Sequence, residues 1–269
     1  MGMNADSVIR SLPAAHEPAT AGTGDPQRAR NSTPVGSAAA AQHQRFDRYW
    51  ATRELRSLDA RTRLRIGIVE HMLTHASGSL LDVGCGRGAT SAHFAQLGHA
   101  VTAIDISPQA LEWTRRQHPS VRTHLVDLEC DSLSGRFDAV VCLEVLQQVR
   151  NPVDVLSGLA GVTAAAGDLI VSLPNEFHLR RRLQILAGSV DFGGIDDTHI
   201  KLYNVAEHRR LFERCGLRAV ASAQQSIIPP RWLDGGPHRA ANALARMLPG
   251  LLALSVVYRL VPAVGTRTP

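Results

Sequence analysis

A glycine-rich turn that follows a short apolar segment constrains the fold of this chain more than any other feature. From Asp82 to Ala89 the sequence reads Asp-Val-Gly-Cys-Gly-Arg-Gly-Ala, with glycine at every second position from 84 to 88. Such glycines let the backbone turn tightly and let a ligand approach without Cβ atoms in the way. The helix predicted to follow offers unpaired N–H groups to an anion or a carboxylate. The turn therefore indicates a ligand site at the carboxyl end of a strand.

Strands and helices alternate along the rest of the chain at intervals typical of α/β proteins. Predicted strands cover 80–83, 100–104, 121–126, 137–143, 168–173 and 217–222, and predicted helices cover 59–75, 89–97, 108–117, 154–163 and 209–215. Leu251 to Leu260 is either a last strand or an apolar helix. The pattern predicts a doubly wound α/β sheet, mostly parallel, with helices on both faces.

Two regions of different composition divide the chain. Residues 1–42 are rich in Ala, Pro, Gly, Thr and Ser and show no apolar period, so a disordered tail is predicted there. Residues 43–269 are long enough for one sizeable core and are predicted to form a single domain. Phe46, Tyr49 and Trp50 are interpreted as apolar anchors on a short helix near its beginning.

The composition of the chain limits which partners it is expected to bind and in which compartment it is expected to work. The net charge of +5 is compatible with an anionic partner, but aromatic residues make up only 4% of the chain, which is few for stacking of nucleic-acid bases. The four cysteines form no CxxC pair and no group of zinc spacing, so reduced thiols and no metal site are expected. No signal peptide is visible, and the apolar stretch 251–264 is interrupted by Arg259 and Pro262. We predict a cytoplasmic protein without a transmembrane segment and without nucleic-acid binding.

Acidic residues occur at the ends of the first three predicted strands. Asp82 lies just before the first glycine of the turn, where it can accept from an ammonium group or from backbone N–H groups. Asp105 ends the second strand, which is a natural place to bind both hydroxyls of a ribose. Asp127 can accept from an adenine amino group while the N–H of Leu128 donates to a ring nitrogen. The alternative for Asp127 is a helix or turn cap.

At these positions the chain resembles class I S-adenosylmethionine-dependent methyltransferases. Leu-Asp-Val-Gly-Cys-Gly-Arg-Gly at 81–88 looks like the first motif of that family, and Ala-Ile-Asp-Ile-Ser at 103–107 looks like its second. Val-Asp-Leu at 126–128 resembles the third motif, and the sequence at 137–146 resembles the fourth strand with its loop. The resemblance implies a Rossmann-like seven-stranded sheet with an antiparallel last strand, and S-adenosyl-L-methionine as cofactor. It also implies a cofactor site made of Asp82, Gly84, Cys85, Gly86, Gly88, Asp105, Ile106, Asp127, Leu128 and Leu143.

A narrower resemblance lies in the second half of the chain. Ser-Leu-Pro-Asn-Glu at 172–176 and Asp-Asp-Thr-His-Ile-Lys-Leu-Tyr at 196–203 are similar to a subgroup that includes ubiquinone-biosynthesis O-methyltransferases and the methionine-biosynthesis W protein. In that subgroup the Thr-His pair lies near the active site, which implicates Thr198 and His199. The subgroup usually has Glu-His where this chain has Gln147 and Gln148. A base or metal role for a histidine at position 148 is therefore excluded.

The expected reaction assigns roles to two side chains. Methyl transfer from a sulfonium is an in-line displacement, which depends mainly on holding the reactants in line. An acceptor that starts protonated also needs a base, and His199 is the first candidate because imidazole titrates near neutrality. A hydrogen-bonded structural histidine is the alternative. Glu144 lies at the carboxyl end of the fourth strand and is expected to orient the acceptor or the cofactor. By resemblance, a small-molecule acceptor and O-methylation are favoured.

Two other functions fit parts of the sequence. The residues at 84–89 also match the GxGxxA pattern of dinucleotide sites, so an NAD(P)-dependent oxidoreductase is one alternative. No Tyr-x-x-x-Lys pair supports it, and the acids at 82 and 127 fit it poorly. The other alternative is a methyltransferase-like regulatory subunit without turnover, which the Gln-Gln pair at 147–148 favours.

A basic segment with an apolar face precedes the Thr-His pair. Leu179, Leu183 and Leu186 share one helical face, with three arginines at 180–182 beside them. The segment either covers the acceptor, or meets a phosphate or the anionic head groups of a membrane as a peripheral contact, or packs on the sheet with its basic side solvated. We favour packing on the sheet. The loop at 191–197 is expected to be mobile.

Overall fold

Nine strands are present in the computed structural model, which describes residues 9–11, 44–50, 60–189, 198–227 and 243–263. In chain order they are β1 (Ile9–Ser11), β2 (Ser79–Val83), β3 (Ala100–Asp105), β4 (Arg122–Leu125), β5 (Asp131–Leu133), β6 (Phe137–Leu143), β7 (Thr163–Pro174), β8 (Leu217–Ser226) and β9 (Ala253–Pro262). Seven of them form one sheet in the order β4-β3-β2-β6-β7-β9-β8, while β1 pairs with β5. In this sheet β4, β3, β2, β6 and β7 run parallel to one another. Strand β9 runs antiparallel to both of its neighbours, β7 and β8.

Helices connect these strands and lie on both faces of the sheet. They are α1 (44–50), α2 (Ala60–Met72), α3 (Ala89–Gln96), α4 (Pro108–Gln117), α5 (Pro152–Val162), α6 (Leu179–Leu186), α7 (Val205–Arg214), α8 (243–247) and α9 (Pro249–Leu252). Local signals fix several ends. Ser107 caps α4 by accepting from the Ala110 N–H, and Asn204 and Glu207 form a reciprocal capping box at the start of α7.

The core consists of two apolar layers because alternate residues of a strand point to opposite faces of a sheet. Leu81 and Val140 are fully buried in the layer that α5 and α7 complete. Leu80 and Val141 are fully buried in the opposite layer, which includes residues of α3 and α4. A sheet covered on both faces confirms the predicted doubly wound α/β architecture.

The structure decides between a strand and a helix for Leu251 to Leu260, whereas most of the predicted tail is not described. The segment predicted as a last strand or an apolar helix is strand β9, preceded by the single turn α9. The seven-stranded sheet with an antiparallel last strand is therefore confirmed. Apart from β1, the predicted tail at 1–42 lies outside the described residues, as does the predicted mobile loop at 191–197. Within the described residues, none of the helices combines the length and the apolar character that crossing a bilayer requires.

The favoured packing of α6 is wrong. Leu183 and Leu186 are 55% and 82% exposed, whereas Arg181 is the residue of this helix that is buried. The physical reason is a buried carboxylate, because the Arg181 guanidinium lies 3.9 Å from Glu176. The side of α6 that faces the protein is therefore the one with Arg181 rather than the leucine face.

Candidate functional site

A cavity opens at the carboxyl ends of β2, β3, β4 and β6, where open α/β sheets bind ligands. From the sheet it is lined by Gly84, Ile104, Asp105, Ile106, Val126, Asp127, Leu128, Glu129, Leu143, Glu144, Val145, Gln148 and Val149. The helices α1 and α2 contribute Phe46, Tyr49, Trp50 and Arg65. Seven of the twelve site residues predicted from the sequence are thus brought together around one space. They are Gly84, Asp105, Ile106, Asp127, Leu128, Leu143 and Glu144.

Gly84 begins the turn after β2 and faces the cavity. Its φ of +66° lies in the left-handed region, and its N–H donates to the carbonyl of Ile104 at 2.8 Å. A Cβ atom at this position would lie 2.3 Å from Cγ2 of Val145. The close approach of the turn to the segment after β6 therefore requires glycine here.

The other two glycines of the turn serve packing rather than the cavity wall. A Cβ atom on Gly86 would lie 2.5 Å from the ring of Trp50, and one on Gly88 would lie 2.5 Å from Thr114. Both have positive φ. They let α1 and α4 lie directly against the turn, so neither is among the residues that line the cavity.

Asp105 is fixed by the backbone on both sides of its carboxylate. The N–H of Gly86 donates to Oδ2 at 2.8 Å, and the N–H of Ser107 donates to Oδ1 at 2.9 Å. Burial raises the pKa of Asp105, and these backbone donors oppose that effect. Each oxygen keeps a further lone pair, so the carboxylate can accept from two hydroxyl groups of a ligand.

Asp82 and Cys85 belong to the turn but are buried and are not among the residues that line the cavity. The hydroxyl of Ser91 donates to the carboxylate of Asp82 at 2.5 Å, which ties β2 to α3. Burial raises the pKa of Asp82 to about 6, and the hydrogen bond from Ser91 opposes that effect. Burial also raises the pKa of the Cys85 thiol well above its usual range. Both side chains therefore pack inside the turn rather than line the cavity.

Replacing Asp82 by Asn should remove a pH dependence of stability. Burial raises the pKa of Asp82 from 3.8 to about 6, so the folded state binds its proton more tightly than the unfolded state. This contribution is complete below the unfolded value and is lost as pH rises through the folded one. The free energy of unfolding of the unsubstituted chain, relative to D82N, should therefore fall by roughly 3 kcal/mol from acidic to neutral pH. Chemical denaturation at a series of pH values measures this.

The matched control is Asp138→Asn, for which the sign is opposite. Hydrogen bonds from the backbone and hydroxyl of Ser79 lower the pKa of Asp138, so its contribution is lost as pH falls. A D82N difference that does not change with pH would contradict the raised pKa of Asp82.

The walls next to Asp105 are largely apolar and carry the other predicted cofactor residues. Ile106, Leu128 and Leu143 line the cavity. Asp127 is 8% exposed, and its Oδ1 accepts from the N–H of Glu129 at 2.9 Å, which is the geometry of a local turn. Asp127 therefore meets the turn-cap interpretation and also lines the cavity.

Glu144 has an unusual backbone conformation at the edge of the cavity. Its φ of +58° makes it the only residue other than glycine with positive φ among the residues that the structure describes. Its carboxylate accepts from the hydroxyl of Ser172 at 2.9 Å and from the amide of Gln147 at 3.4 Å, and Arg65 lies 3.6 Å away. A residue held in a strained conformation by several contacts at a cavity is typical of a functional position.

His199 lies one side chain further from the cavity than Glu144. Its Nδ1 lies 3.0 Å from Oε1 of Glu176, and its Nε2 lies 3.5 Å from the amide nitrogen of Gln147. His199 is not among the described lining residues, and it reaches the cavity through Gln147 and Glu144. The sequence predicted neither Glu176 nor Gln147 as part of the site.

An aromatic helix covers the cavity, which the sequence interpretation missed. Phe46, Tyr49 and Trp50 of α1 line it, although they were interpreted only as anchors. Asp47 accepts from the hydroxyl of Ser107 at 2.6 Å, and the backbone of Trp50 accepts from Arg87 at the same distance. The signal was present, because three aromatic residues within five positions stand out in a chain with 4% aromatics.

Together these features define a class of protein. A sheet of order β4-β3-β2-β6-β7-β9-β8, with a glycine turn after β2 and an acid at the end of β3, is the fold of class I methyltransferases. A sequence model described as a methyltransferase domain matches residues 42–222. The chain belongs to this methyltransferase family. The class uses S-adenosylmethionine, and the fixed carboxylate of Asp105 and the apolar walls beside it fit a nucleoside.

Comparisons with individual proteins agree with this assignment. A ubiquinone biosynthesis O-methyltransferase of Xanthomonas oryzae pv. oryzae is 34% identical over 137 residues, which are 48% of this chain. The match spans 57% of that relative. A magnesium protoporphyrin IX methyltransferase of Synechocystis PCC 6803 with bound SAH has a TM-score of 0.58 at 17% identity, over 86% of this chain and all of that one.

A second solved structure extends the likeness to nearly the whole chain. It is the 1,6-didemethyltoxoflavin-N1-methyltransferase of Burkholderia thailandensis, with a TM-score of 0.56 at 19% identity. The likeness covers 96% of this chain and 97% of that one. At these identities the two structures show the shared fold. The dinucleotide alternative finds no support in the family assignment.

Proposed function

We propose that this protein transfers the methyl group of S-adenosylmethionine to a hydroxyl group of a small molecule. The observation that carries the proposal is the carboxylate of Glu144 at the cavity, which is held by Ser172 and Gln147 on a residue with positive φ. An anionic oxygen at this place can accept from the acceptor's hydroxyl group and orient its lone pair. The similarity to ubiquinone biosynthesis O-methyltransferases supports oxygen as the methylated atom.

Four of the predicted cofactor residues that line the cavity have a proposed task in binding the cofactor. When bound, S-adenosylmethionine supplies a methyl group on a positively charged sulfur. Asp105 accepts from the ribose hydroxyls, Asp127 and the Leu128 N–H bind the base, and Gly84 leaves room beside them. The aromatic side chains of α1 exclude water from the reacting groups. The residues thus hold donor and acceptor in line, which is the main requirement of this displacement.

In this proposal His199 acts indirectly, because it does not contact the acceptor itself. Its ring lies behind Gln147, so Glu144 is better placed to contact a hydroxyl group. The prediction that His199 takes the proton directly stays a prediction. Within the described residues no cluster of potential metal ligands is found, and the proposed orientation of the acceptor uses side chains alone.

Two measurements test the proposed function in order. Calorimetric titration with S-adenosylhomocysteine, with NADH and NADPH in parallel, should show micromolar binding of the first alone. Labelled S-adenosylmethionine is then offered with hydroxylated small molecules and with amine analogues of the same size. Label transfer to hydroxyl groups is expected. Transfer to amines alone, or binding of a nicotinamide cofactor, would contradict the proposal, whereas cofactor binding without any transfer would favour the regulatory alternative.

Replacing Glu144 by Gln should lower kcat about a hundredfold while the affinity for the cofactor changes little. The amide keeps the size of the side chain but loses the charge and one acceptor oxygen. Steady-state kinetics with the best acceptor from the panel measure the effect. Glu213→Gln, at an exposed position of α7, is the control and should leave kcat unchanged. An unchanged kcat in E144Q would remove Glu144 from the reaction.

Two predictions about the surroundings of the enzyme also belong to this proposal. We propose that it works in the cytoplasm, which the similarity to ubiquinone biosynthesis O-methyltransferases supports. The second prediction is a peripheral contact with a membrane. The exposed leucines of α6 and the arginines at 180 and 182 are consistent with it.

A further inference from the structure

Four polar side chains form a row that leads from the cavity into the protein. The carboxylate of Glu144 lies 3.4 Å from the amide nitrogen of Gln147, and that nitrogen lies 3.5 Å from Nε2 of His199. Nδ1 of His199 lies 3.0 Å from the carboxylate of Glu176. Gln147 has no exposed surface, and the side chains of His199 and Glu176 are 11% and 9% exposed. The row is therefore largely shielded from water, and each of its contacts constrains the next.

For a neutral His199 ring, the donors and acceptors present assign a direction to each hydrogen bond in the row. A carboxylate only accepts, so the contact with Glu176 requires that His199 carries a proton on Nδ1. In the neutral ring Nε2 then accepts a hydrogen bond from the amide N–H of Gln147. The second amide proton is donated to Glu144, because a carboxylate needs a donor. Oε1 of Gln147 is buried and has no hydrogen-bond partner among the described residues, so the donor contacts alone orient this amide.

We propose that Glu176, His199 and Gln147 are positioning residues that act on the acceptor through Glu144. Glu176 sets the tautomer of His199, His199 then accepts from Gln147, and Gln147 holds the Glu144 carboxylate in place by donating to it. The proposal rests on the function proposed for Glu144. It explains why glutamine is useful at position 147, since a glutamate there would have no proton to donate to either neighbour.

Charged groups at both ends of the row match this arrangement. Arg181 of α6 lies 3.9 Å from Glu176, and Arg65 of α2 lies 3.6 Å from Glu144. Each carboxylate thus lies near the opposite charge of a guanidinium group. The burial of Arg181, which the leucine pattern of α6 did not predict, is part of the same arrangement.

The first test reads the tautomer and does not depend on turnover. Long-range ¹⁵N–¹H correlation spectra of the labelled full chain, assigned with His199→Asn, should show a proton on Nδ1 of His199 and none on Nε2. Glu176→Gln should produce a mixture of tautomers, since an amide at position 176 can also donate to Nδ1. A ring in the unsubstituted chain with its proton on Nε2 would overturn the proposal, whether or not any acceptor has been found.

The second test is a double-mutant cycle on kcat. His199→Ala and Gln147→Leu should each lower kcat about tenfold, with KM for S-adenosylmethionine unchanged. If both act through one chain, the double variant should also lose about tenfold. A loss near a hundredfold would show that His199 acts independently of Gln147, as a base in direct contact with the acceptor would, and would overturn the chain. Glu176→Gln should lower kcat about tenfold as well.

The chain offers a matched control for the carboxylate–histidine pair. Glu70 and His93 form an exposed pair at 2.9 Å, away from the cavity. Glu70→Gln should leave both kcat and the spectrum of His199 unchanged. Thermal unfolding of each variant shows whether it is folded before its kcat is compared. If the unsubstituted chain binds S-adenosylhomocysteine but methylates none of the hydroxylated compounds, the proposed function fails, and the spectra still decide the tautomer.

Discussion

Replacing Gly84 by Ala is expected to weaken binding of S-adenosylhomocysteine about a hundredfold. The new Cβ atom would lie 2.3 Å from Cγ2 of Val145, and the residue would need a φ of +66°. Overpacking costs roughly 1–3 kcal/mol and left-handed backbone roughly 1–2 kcal/mol for a residue with a Cβ atom. Because Val145 adjoins Glu144 and lines the cavity, relief of the contact displaces the cavity wall. Calorimetric titration with S-adenosylhomocysteine measures the loss.

Two control variants separate the steric part of this effect from the backbone part. Gly98 has a φ of +93° but nothing within 4 Å of an added Cβ atom, so Gly98→Ala should lower stability and leave the affinity unchanged. Adding Val145→Ala to G84A removes the atom that the new Cβ would meet, and part of the affinity should return. Equal affinities of G84A and the unsubstituted chain would show that the turn does not need to approach the segment after β6.

The fold could be predicted from the sequence because its signals are local. The apolar run at 137–143 and the turn at 82–89 each specify their own structure, and β6 has the predicted bounds. The ambiguity at the last strand was of a different kind. Leu251 to Leu260 is largely apolar, with Ser255 and Arg259 as exceptions, and a run of this type has no period that separates a buried strand from a buried helix. Pairing with β7 and β8 decides the matter.

The site could be predicted only in part, because some of its contacts join distant segments. The residues that follow strands, such as Asp105 and Glu144, were found because the carboxyl ends of parallel strands meet at one edge. Glu176 and Gln147 were missed, since their partner His199 is 23 and 52 positions away along the chain. The face of α6 was assigned wrongly for the same reason. Its helical period favours the leucines, and the buried Glu176 selects Arg181 instead.

Replacing Asp105 by Asn is expected to weaken binding of S-adenosylhomocysteine at least a hundredfold. The two carboxylate oxygens accept from the N–H groups of Gly86 and Ser107. An amide places two protons where one of these N–H groups points, so a buried donor loses its partner and the site loses an acceptor. Truncating one partner of a buried charged hydrogen bond costs about 2–5 kcal/mol. Asp168→Asn is the control, because Asp168 is equally buried, accepts from Thr74 and Arg259, and does not line the cavity.

The pH dependence of binding distinguishes a direct role of Asp105 from a structural one. Burial raises the pKa of this carboxyl, so its charge is lost at a higher pH than is usual for aspartate. If the charged form accepts from the ribose hydroxyls, affinity for S-adenosylhomocysteine falls on acidification, and the fall begins above the ordinary range of an aspartate. D105N has no such group, so its residual affinity should not show this fall. If acidification weakens both proteins equally, another group is responsible, and Asp105 serves the turn at Gly86 rather than the nucleoside.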